Sequence, residues 1–336
     1  MSPSHKISLI GGSGFIGTKL AADLWHGGYY VSIVDIQPTQ KYPDFFQHAD
    51  VRSTDELRTA CKGSDIIINL AAAHRDDVRP VSLYHDVNVT GAENVCQVAE
   101  ELNIKTIVFT SSAAVYGLQG GEPDETAPHL PINAYGETKS KAEAVYTAWQ
   151  EKDAGNRTMV IVRPTVVFGI GNRGNVHTLI DQITRGNFIM IGDGENRKSM
   201  AYVENVSAFL MHCLNFGPGT HIFNYVDKPD LSMNELVSII RRLTGKTSGS
   251  ALRLPKSLGT IAGTGFDMIA RITGKTLPIS RVRIEKFCAT TIFSAKKISS
   301  TAFKAPKNLQ SALEATIKAE FPSSGHQPES DRSRAA

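Results

Sequence analysis

Cysteine is the first thing this chain has little of. Four are scattered over 336 residues, and Cys61, Cys96, Cys213 and Cys288 fall at no metal-knuckle or disulfide spacing. That excludes a stapled scaffold, predicts no metal and points to a reducing, cytoplasmic setting. No apolar run approaches the ~20 residues that span a bilayer. Apolar residues 7–10 run straight into glycines, so no secretion signal is expected. Acidic residues all but vanish between 241 and 307, where 14 Lys and Arg face only Asp267 and Glu285, a surplus of twelve positive charges. With the whole chain at +3, the remainder is nine negative.

What is present begins with KISLIGGSGFIG, residues 6–17. Residues 7–10 read as a buried strand, and Leu20, Ala21 and Leu24 as the inner face of an amphipathic helix. Between them stand Gly11, Gly14 and Gly17, with Phe15 and Ile16. A dinucleotide pyrophosphate can sit against the free N–H groups of the helix only where no Cβ blocks its approach, so the stretch reads as a phosphate cradle. A glycine triplet alone is equally an ordinary strand-to-helix turn. The discriminating residue is a carboxylate about 20 residues further on, at the end of the second strand. Asp35 supplies it, and no Arg follows to receive a 2′-phosphate. The predicted cofactor is NAD.

Further along, Asp50 with the backbone of Val51 is placed to hold an adenine amino group; alternatively Asp50 caps the next helix. A buried strand over 65–70 ends in Leu70, Ala71 and Ala72, small enough to let the backbone approach a cofactor. His74 and Arg75 follow, as sugar or diphosphate contacts or as surface residues. A helical pattern over 86–102 carries Asn88 in its first turn. Strand 106–110 leads into Ser111 and Ser112, and a loop rich in Gly and Pro separates it from a helix over 135–149. Tyr135 and Lys139 lie on one face of that helix. Ser112, Tyr135 and Lys139 then form a catalytic constellation. The ammonium and a nicotinamide charge both favour phenolate, so Tyr135 takes a hydroxyl proton while the carbon gives hydride to NAD, and Ser112 orients the hydroxyl.

GGSGFIG, Asp35, Asp50-Val51, NLAAAH, the VNV of 87–89, FTSSAAVYG, YGETK and RPTVVFG together resemble the extended short-chain dehydrogenase/reductases, the NAD-dependent epimerases and dehydratases, over residues 5–321. The resemblance implies an α/β fold: a doubly wound parallel Rossmann sheet with a smaller, discontinuous α/β substrate lobe. The expected division is 1–169, with 200–227 returning to it, for the NAD-binding domain. The substrate lobe is expected from 170–199 and 228–321, and a disordered tail over 322–336. It further implies cofactor contacts from Asn88, Tyr135, Lys139 and Pro164, and a homodimer built on the helices around Asn88 and Tyr135. The acid pair that the family's 4,6-dehydratases carry after the Ser is replaced by Ala113 and Ala114. The decarboxylases' Glu and the 3,5-epimerising reductases' Cys are missing too. A 4-epimerase or a simple sugar dehydrogenase remains.

Segments 72–78, 82–91, 171–176, 198–203, 224–237 and 282–297 resemble, within the family, the bacterial epimerases that act on N-acetylglucosaminyl-diphospho-undecaprenol. That implies interconversion of GlcNAc and GalNAc on a lipid diphosphate for surface-polysaccharide assembly; the alternative is a UDP-sugar 4-epimerase. Where many UDP-sugar epimerases carry Arg-x-Gly-Asp, this chain has Glu285-Lys286-Phe287-Cys288, which leaves Arg281, Arg283 and Lys286 as candidate diphosphate ligands. Asn175, Lys198 and Tyr202 are further substrate candidates. Apolar residues 258–270, flanked by Arg253, Lys256, Arg271 and Lys275, suit an anionic bilayer or a lipid diphosphate, or are simply part of a solvated basic face. The expected partners are therefore a sugar diphosphate and an anionic membrane surface, at the inner face of the cell membrane and not nucleic acid.

Overall fold

A computed structural model describes residues 5–75, 77–245, 252–258, 264 and 281–322, the last range beginning with three residues whose side chains are left out. All but the first residue of the expected tail, and most of the apolar segment 258–270, lie outside the described residues. In chain order the elements open with β1 (Lys6–Ile10), α1 (Phe15–His26), β2 (Tyr30–Asp35), β3 (Phe46–His48), α2 (Thr54–Ala60) and β4 (Ile66–Asn69). Next come α3 (Ser82–His85), α4 (Gly91–Glu101), β5 (Thr106–Thr110), α5 (Ala134–Glu151) and β6 (Thr158–Pro164). Then follow β7 (Val166–Phe168), α6 (Asn175–Thr184), β8 (Ile189–Ile191), β9 (Arg197–Tyr202), α7 (Val203–His212), β10 (Gly219–Tyr225) and β11 (Asp227–Ser232). The chain ends with α8 (Met233–Thr244), β12 (Leu252–Leu254), α9 (Arg281–Cys288), α10 (Lys296–Ser299) and α11 (Leu309–Glu320).

Two compact units emerge. The first gathers residues 1–167, 199–228 and 292–307; the second gathers 168–198, 229–291 and 308–336. Residues 292–307, expected with the substrate lobe, group with the sheet: Ile298 and Phe303 pack against its core.

In the first unit the sheet runs β10-β6-β5-β4-β1-β2-β3, all parallel. Alternation sends each strand's side chains to both faces, so both must be covered. Leu57 of α2, Val95 and Val98 of α4 and Tyr146 and Trp149 of α5 cover one face. Leu20 and Leu24 of α1 and Phe209 and Leu210 of α7 cover the other. The strand order reverses between β1 and β4, so the crevice beyond their carboxyl ends is the topological switch point where open α/β sheets take ligands. Gly11 follows β1 at that edge.

One stretch departs from its sequence pattern. The helical periodicity of 86–102 is broken by a π-helical turn at Asp86–Thr90 before α4 begins. Such wide turns re-aim side chains, and here the residue concerned is Asn88.

In the second unit α8 packs against α6 and α11, and β8 pairs in parallel with β12. Glu320, at the end of α11, accepts from the Gly171 N–H at 2.7 Å and pairs with Arg173, fastening the segment before α6. Among the described residues no helix is long and apolar enough to cross a membrane, and no cluster of His, Cys, Asp and Glu could hold a metal ion.

Candidate active site

At the switch point the glycines meet their neighbours at backbone distance. Gly11 has φ +75°, and a Cβ there would stand 2.6 Å from the Ala71 nitrogen; one on Gly17 would stand 2.6 Å from the Gly12 Cα. Only glycine fits either position. Helix α1 starts at Gly14 with no side-chain cap and no acid in its first turn. Its first ladder bond is Thr18 N–H to Gly14 O at 2.8 Å, so the N–H groups of Phe15, Ile16 and Gly17 precede the ladder at the positive end of the dipole. Asp35 stands over this loop, accepting from Ser13 N–H at 3.1 Å and Gln37 N–H at 3.0 Å. These residues fit a dinucleotide: an uncapped, Cβ-free helix end for the pyrophosphate and a carboxylate for the ribose.

The wall opposite is held by β4. Leu70 N–H bonds Ile10 O at 2.8 Å, and Ala71 N–H donates to Asn69 Oδ1 at 3.0 Å. The side chain of Asn88 accepts from Ala73 N–H at 2.9 Å and donates to Ala73 O at 3.1 Å and Thr138 Oγ1 at 2.9 Å. It thus clamps the strand end to α5. The Asp50 carboxylate pairs with Arg52 at 2.5 Å and is held below its usual range by that partner. The helix cap expected as the alternative role of Asp50 belongs to Ser53. Val51 is buried, its carbonyl accepting from Asn94. His74 and Arg75 are exposed. Pro164 closes β6, buried.

Ser112 caps the turn Ala113–Tyr116, accepting from Ala114 N–H at 3.1 Å. Burial pushes the Tyr135 phenol up, and the Ser112 hydroxyl draws it partly back down. Asn133 caps α5 through Gly136 N–H at 2.9 Å. A Cβ on Gly136 would lie 2.5 Å from Ala114 O, so the glycine inside YGETK is what lets α5 approach Ser112.

Lys139 is 1% exposed. Its ammonium donates to Thr110 O at 2.8 Å and lies 4.5 Å from the centre of the Phe109 ring. Burial brings it down to about 7, opposed by Glu143. The charge expected to favour the phenolate is thus itself disfavoured by its surroundings.

Behind this trio is a buried network that spacing did not reveal. Arg163 and Glu143 are 2% and 4% exposed and face each other with three charge-assisted bonds. The four-residue spacing of Tyr135, Lys139 and Glu143 on one face of α5 was the available signal for Glu143; Arg163, beside Pro164, carried none.

The substrate candidates divide. Lys198 Nζ donates to Lys286 O at 2.8 Å and Ala289 O at 2.5 Å, so together with Asn196 it fastens the carboxyl end of α9. Burial brings it to about 8. Lys286 lies in the last turn of that helix, and Asn175 opens α6. Tyr202 is buried in the first unit, its N–H donating to Asp227 Oδ2 at 2.6 Å. The side chains of Arg281 and Arg283 lie outside the described residues. The structure therefore brings together Gly11, Gly14, Gly17, Asp35 and Ala71 around one loop, and Ser112, Tyr135 and Lys139 around another.

Residues 7–225 match the profile of the NAD dependent epimerase/dehydratase family. The chain is 46% identical over 319 residues, 95% of its length and 96% of the relative's, to the N-acetyl-alpha-D-glucosaminyl-diphospho-ditrans,octacis-undecaprenol 4-epimerase of Escherichia coli O157:H7. It is 29% identical over 286 residues to the UDP-glucose 4-epimerase of Vibrio cholerae, covering 80% of this chain and 85% of that one. Among solved structures, the UDP-glucose 4-epimerase of Thermus thermophilus in complex with NAD shares its fold with a TM-score of 0.73 at 18% identity, over 94% of this chain and 98% of that one.

Proposed function

The chain belongs to the NAD dependent epimerase/dehydratase family, and from that premise we propose that it is a sugar 4-epimerase interconverting GlcNAc and GalNAc on undecaprenyl diphosphate. The observation that carries this reading is the 46% identity over nearly the full length of both chains to an enzyme named for that substrate. The residues after Ser112 agree with it: Ala113 and Ala114 offer no acid or base for removing water at a neighbouring carbon.

In this reading the Gly11–Gly17 loop, the start of α1 and Asp35 hold NAD, which when bound accepts a hydride from carbon 4 and returns it. Tyr135 receives the proton of the 4-hydroxyl and returns it to the 4-oxygen, and the configuration inverts because the 4-keto sugar presents its opposite face before the hydride comes back. Ser112 orients that hydroxyl. Lys139 contributes positive charge beneath the pair.

The lipid-linked form of the substrate is supported by the surplus of twelve positive charges over 241–307 and by Leu252 and Leu258, 61% and 53% exposed, beside Arg253 and Lys256. Each cation near an anionic leaflet contributes about 1 kcal/mol, so a few suffice for reversible attachment at the inner membrane face. A homodimer through α4 and α5 belongs to the same reading.

A product assay comparing GlcNAc-diphospho-undecaprenol with UDP-GlcNAc tests it. GalNAc on the lipid, with a 4-deuterium label retained and no accumulating NADH, is expected. Turnover of UDP-GlcNAc alone, together with equal sedimentation on neutral and anionic vesicles, would replace it with a soluble nucleotide-sugar epimerase. Steady NADH production would make the protein a dehydrogenase.

A further inference from the structure

The charges under Tyr135 do not balance evenly. Helix α5 presents Tyr135, Lys139 and Glu143 at intervals of four, on one face. The end of β5 answers two of them in succession: Thr110 O takes the Lys139 ammonium at 2.8 Å, and Ser111 Oγ donates to Glu143 Oε1 at 2.5 Å. From β6, Arg163 donates to Glu143 Oε1 at 2.9 Å and Oε2 at 2.6 Å.

The remaining groups around the pair add no compensating charge. His129 Nε2 accepts from Arg163 Nη2 at 2.8 Å while its Nδ1 meets Ser140 Oγ at 2.7 Å, and burial keeps the imidazole neutral. Tyr116 takes Arg163 Nη1 on its hydroxyl and is pushed up by burial. The Glu125 carboxylate turns to Asn224 N–H at 2.8 Å, leaving only its carbonyl to Arg163. Two buried cations therefore face one buried carboxylate: Arg163 bonds it directly, and Lys139 stands one turn away from it on α5. Guanidinium does not give up its proton in proteins, whereas an amine does, so any loss of positive charge falls on Lys139.

We propose that Glu143 is a positioning residue for the reaction: fixed by Arg163 and Ser111, its carboxylate keeps the Lys139 ammonium charged in the closed interior beneath Tyr135. An ammonium there lowers the phenol toward the ionised form a base needs; a neutral amine does not. Burying such a network costs stability that an apolar core would avoid, and sustaining that charge is what the cost returns. The consequence for turnover rests on Lys139 serving Tyr135 as proposed above. The charge on Lys139 is measurable whatever the substrate proves to be.

The test uses the full chain loaded with NAD, carrying ε-13C lysine, with the Lys139 resonance assigned by its absence in Lys139→Arg. Glu143→Gln is expected to lower the Lys139 titration midpoint by about one pH unit or more, a tenfold loss of the charged form above the midpoint. Glu143→Asp, which keeps the charge but withdraws it by one methylene, is expected to lower it less. If Glu143→Gln does not fold, Glu143→Asp decides alone: a lowered midpoint supports the proposal and an unchanged one overturns it. A lower melting temperature with the midpoint in place makes Glu143 purely structural and also overturns it.

Discussion

Helices α1 and α8 begin in opposite ways. α8 is closed by its own sequence: Ser232 Oγ accepts from Glu235 N–H at 3.1 Å and Glu235 Oε2 accepts from Ser232 N–H at 2.7 Å, a complete capping box. α1 begins at a glycine, with no cap and no acid in its first turn. A side-chain cap is worth only a few tenths of a kcal/mol over glycine, and α1 forgoes it at the switch point of the sheet, where glycines also clear the approach. A helix end that satisfies itself offers no free donors, whereas one left uncapped in a glycine loop keeps its N–H groups open to an anion. In the proposed reading ligand holding belongs to the end of α1 and proton handling to Ser112 and Tyr135, and each can be attacked alone.

The largest expected effect separates those two. Tyr135→Phe keeps the ring and removes the proton acceptor, so turnover should fall about 10²–10⁴-fold while NAD affinity, read by fluorescence titration, stays within a factor of about two. Loss of NAD along with turnover would join what the comparison separates. Next in size is a transplant. Gly14 has φ −71° and ψ 178°, ordinary extended backbone, so Gly14→Asp gives α1 the kind of cap α8 has. The carboxylate should stabilise α1 by only a few tenths of a kcal/mol over glycine, with its Cβ held 3.2 Å from Gly11 O, and weaken NAD on the order of 100-fold, since like charges ~4–5 Å apart repel by about 3–4 kcal/mol at an effective dielectric near 20. A variant that melts lower and binds NAD unchanged would show that α1 is not the anion site. Smaller still, Asp35→Asn should bring NADP affinity up about tenfold relative to NAD, because one repelling charge is removed at a partly exposed site.

Much of this was readable in the sequence, for a local reason. The glycine spacing, Asp35, and Tyr135 with Lys139 are each contained within one strand-turn-helix unit or one helix face, so periodicity fixes their relations. What was not readable depends on partners brought by tertiary packing. Asn88 needed the π turn to reach Ala73 and Thr138. Asp50 is the local exception: it pairs with Arg52 two residues on, a side-chain geometry that spacing does not specify. Lys198 reads as a substrate candidate, yet its ammonium goes to backbone carbonyls at the end of α9. Glu143 and Arg163 stand 20 residues apart in sequence, and only the parallel β5–β6 pairing under α5 brings them together. The lowering of Lys139 to about 7 was not readable either, because motif spacing says nothing of burial.

The smallest effect tests the closed member of the pair. Ser232→Ala removes the hydroxyl that accepts the Glu235 N–H and leaves the Glu235 carboxylate on Ser232 N–H, so it costs only part of the box, about 1 kcal/mol at most. The loss should appear locally, as faster hydrogen exchange of the first-turn amides of α8, and in a slightly lower melting temperature. Glu235 is held below the usual carboxylate range by its bonds to Ser232. A depressed folded value contributes stability above the unfolded value and loses it as pH falls through the folded one, so the contribution of Glu235 is present at neutral pH and fades in acid. NAD affinity should not change, because a self-capped helix end offers an anion nothing. If Ser232→Ala weakened NAD as Gly14→Asp does, the amino ends of α1 and α8 would answer to one equilibrium, and the division between an open end for ligand and a closed end for scaffold would fail.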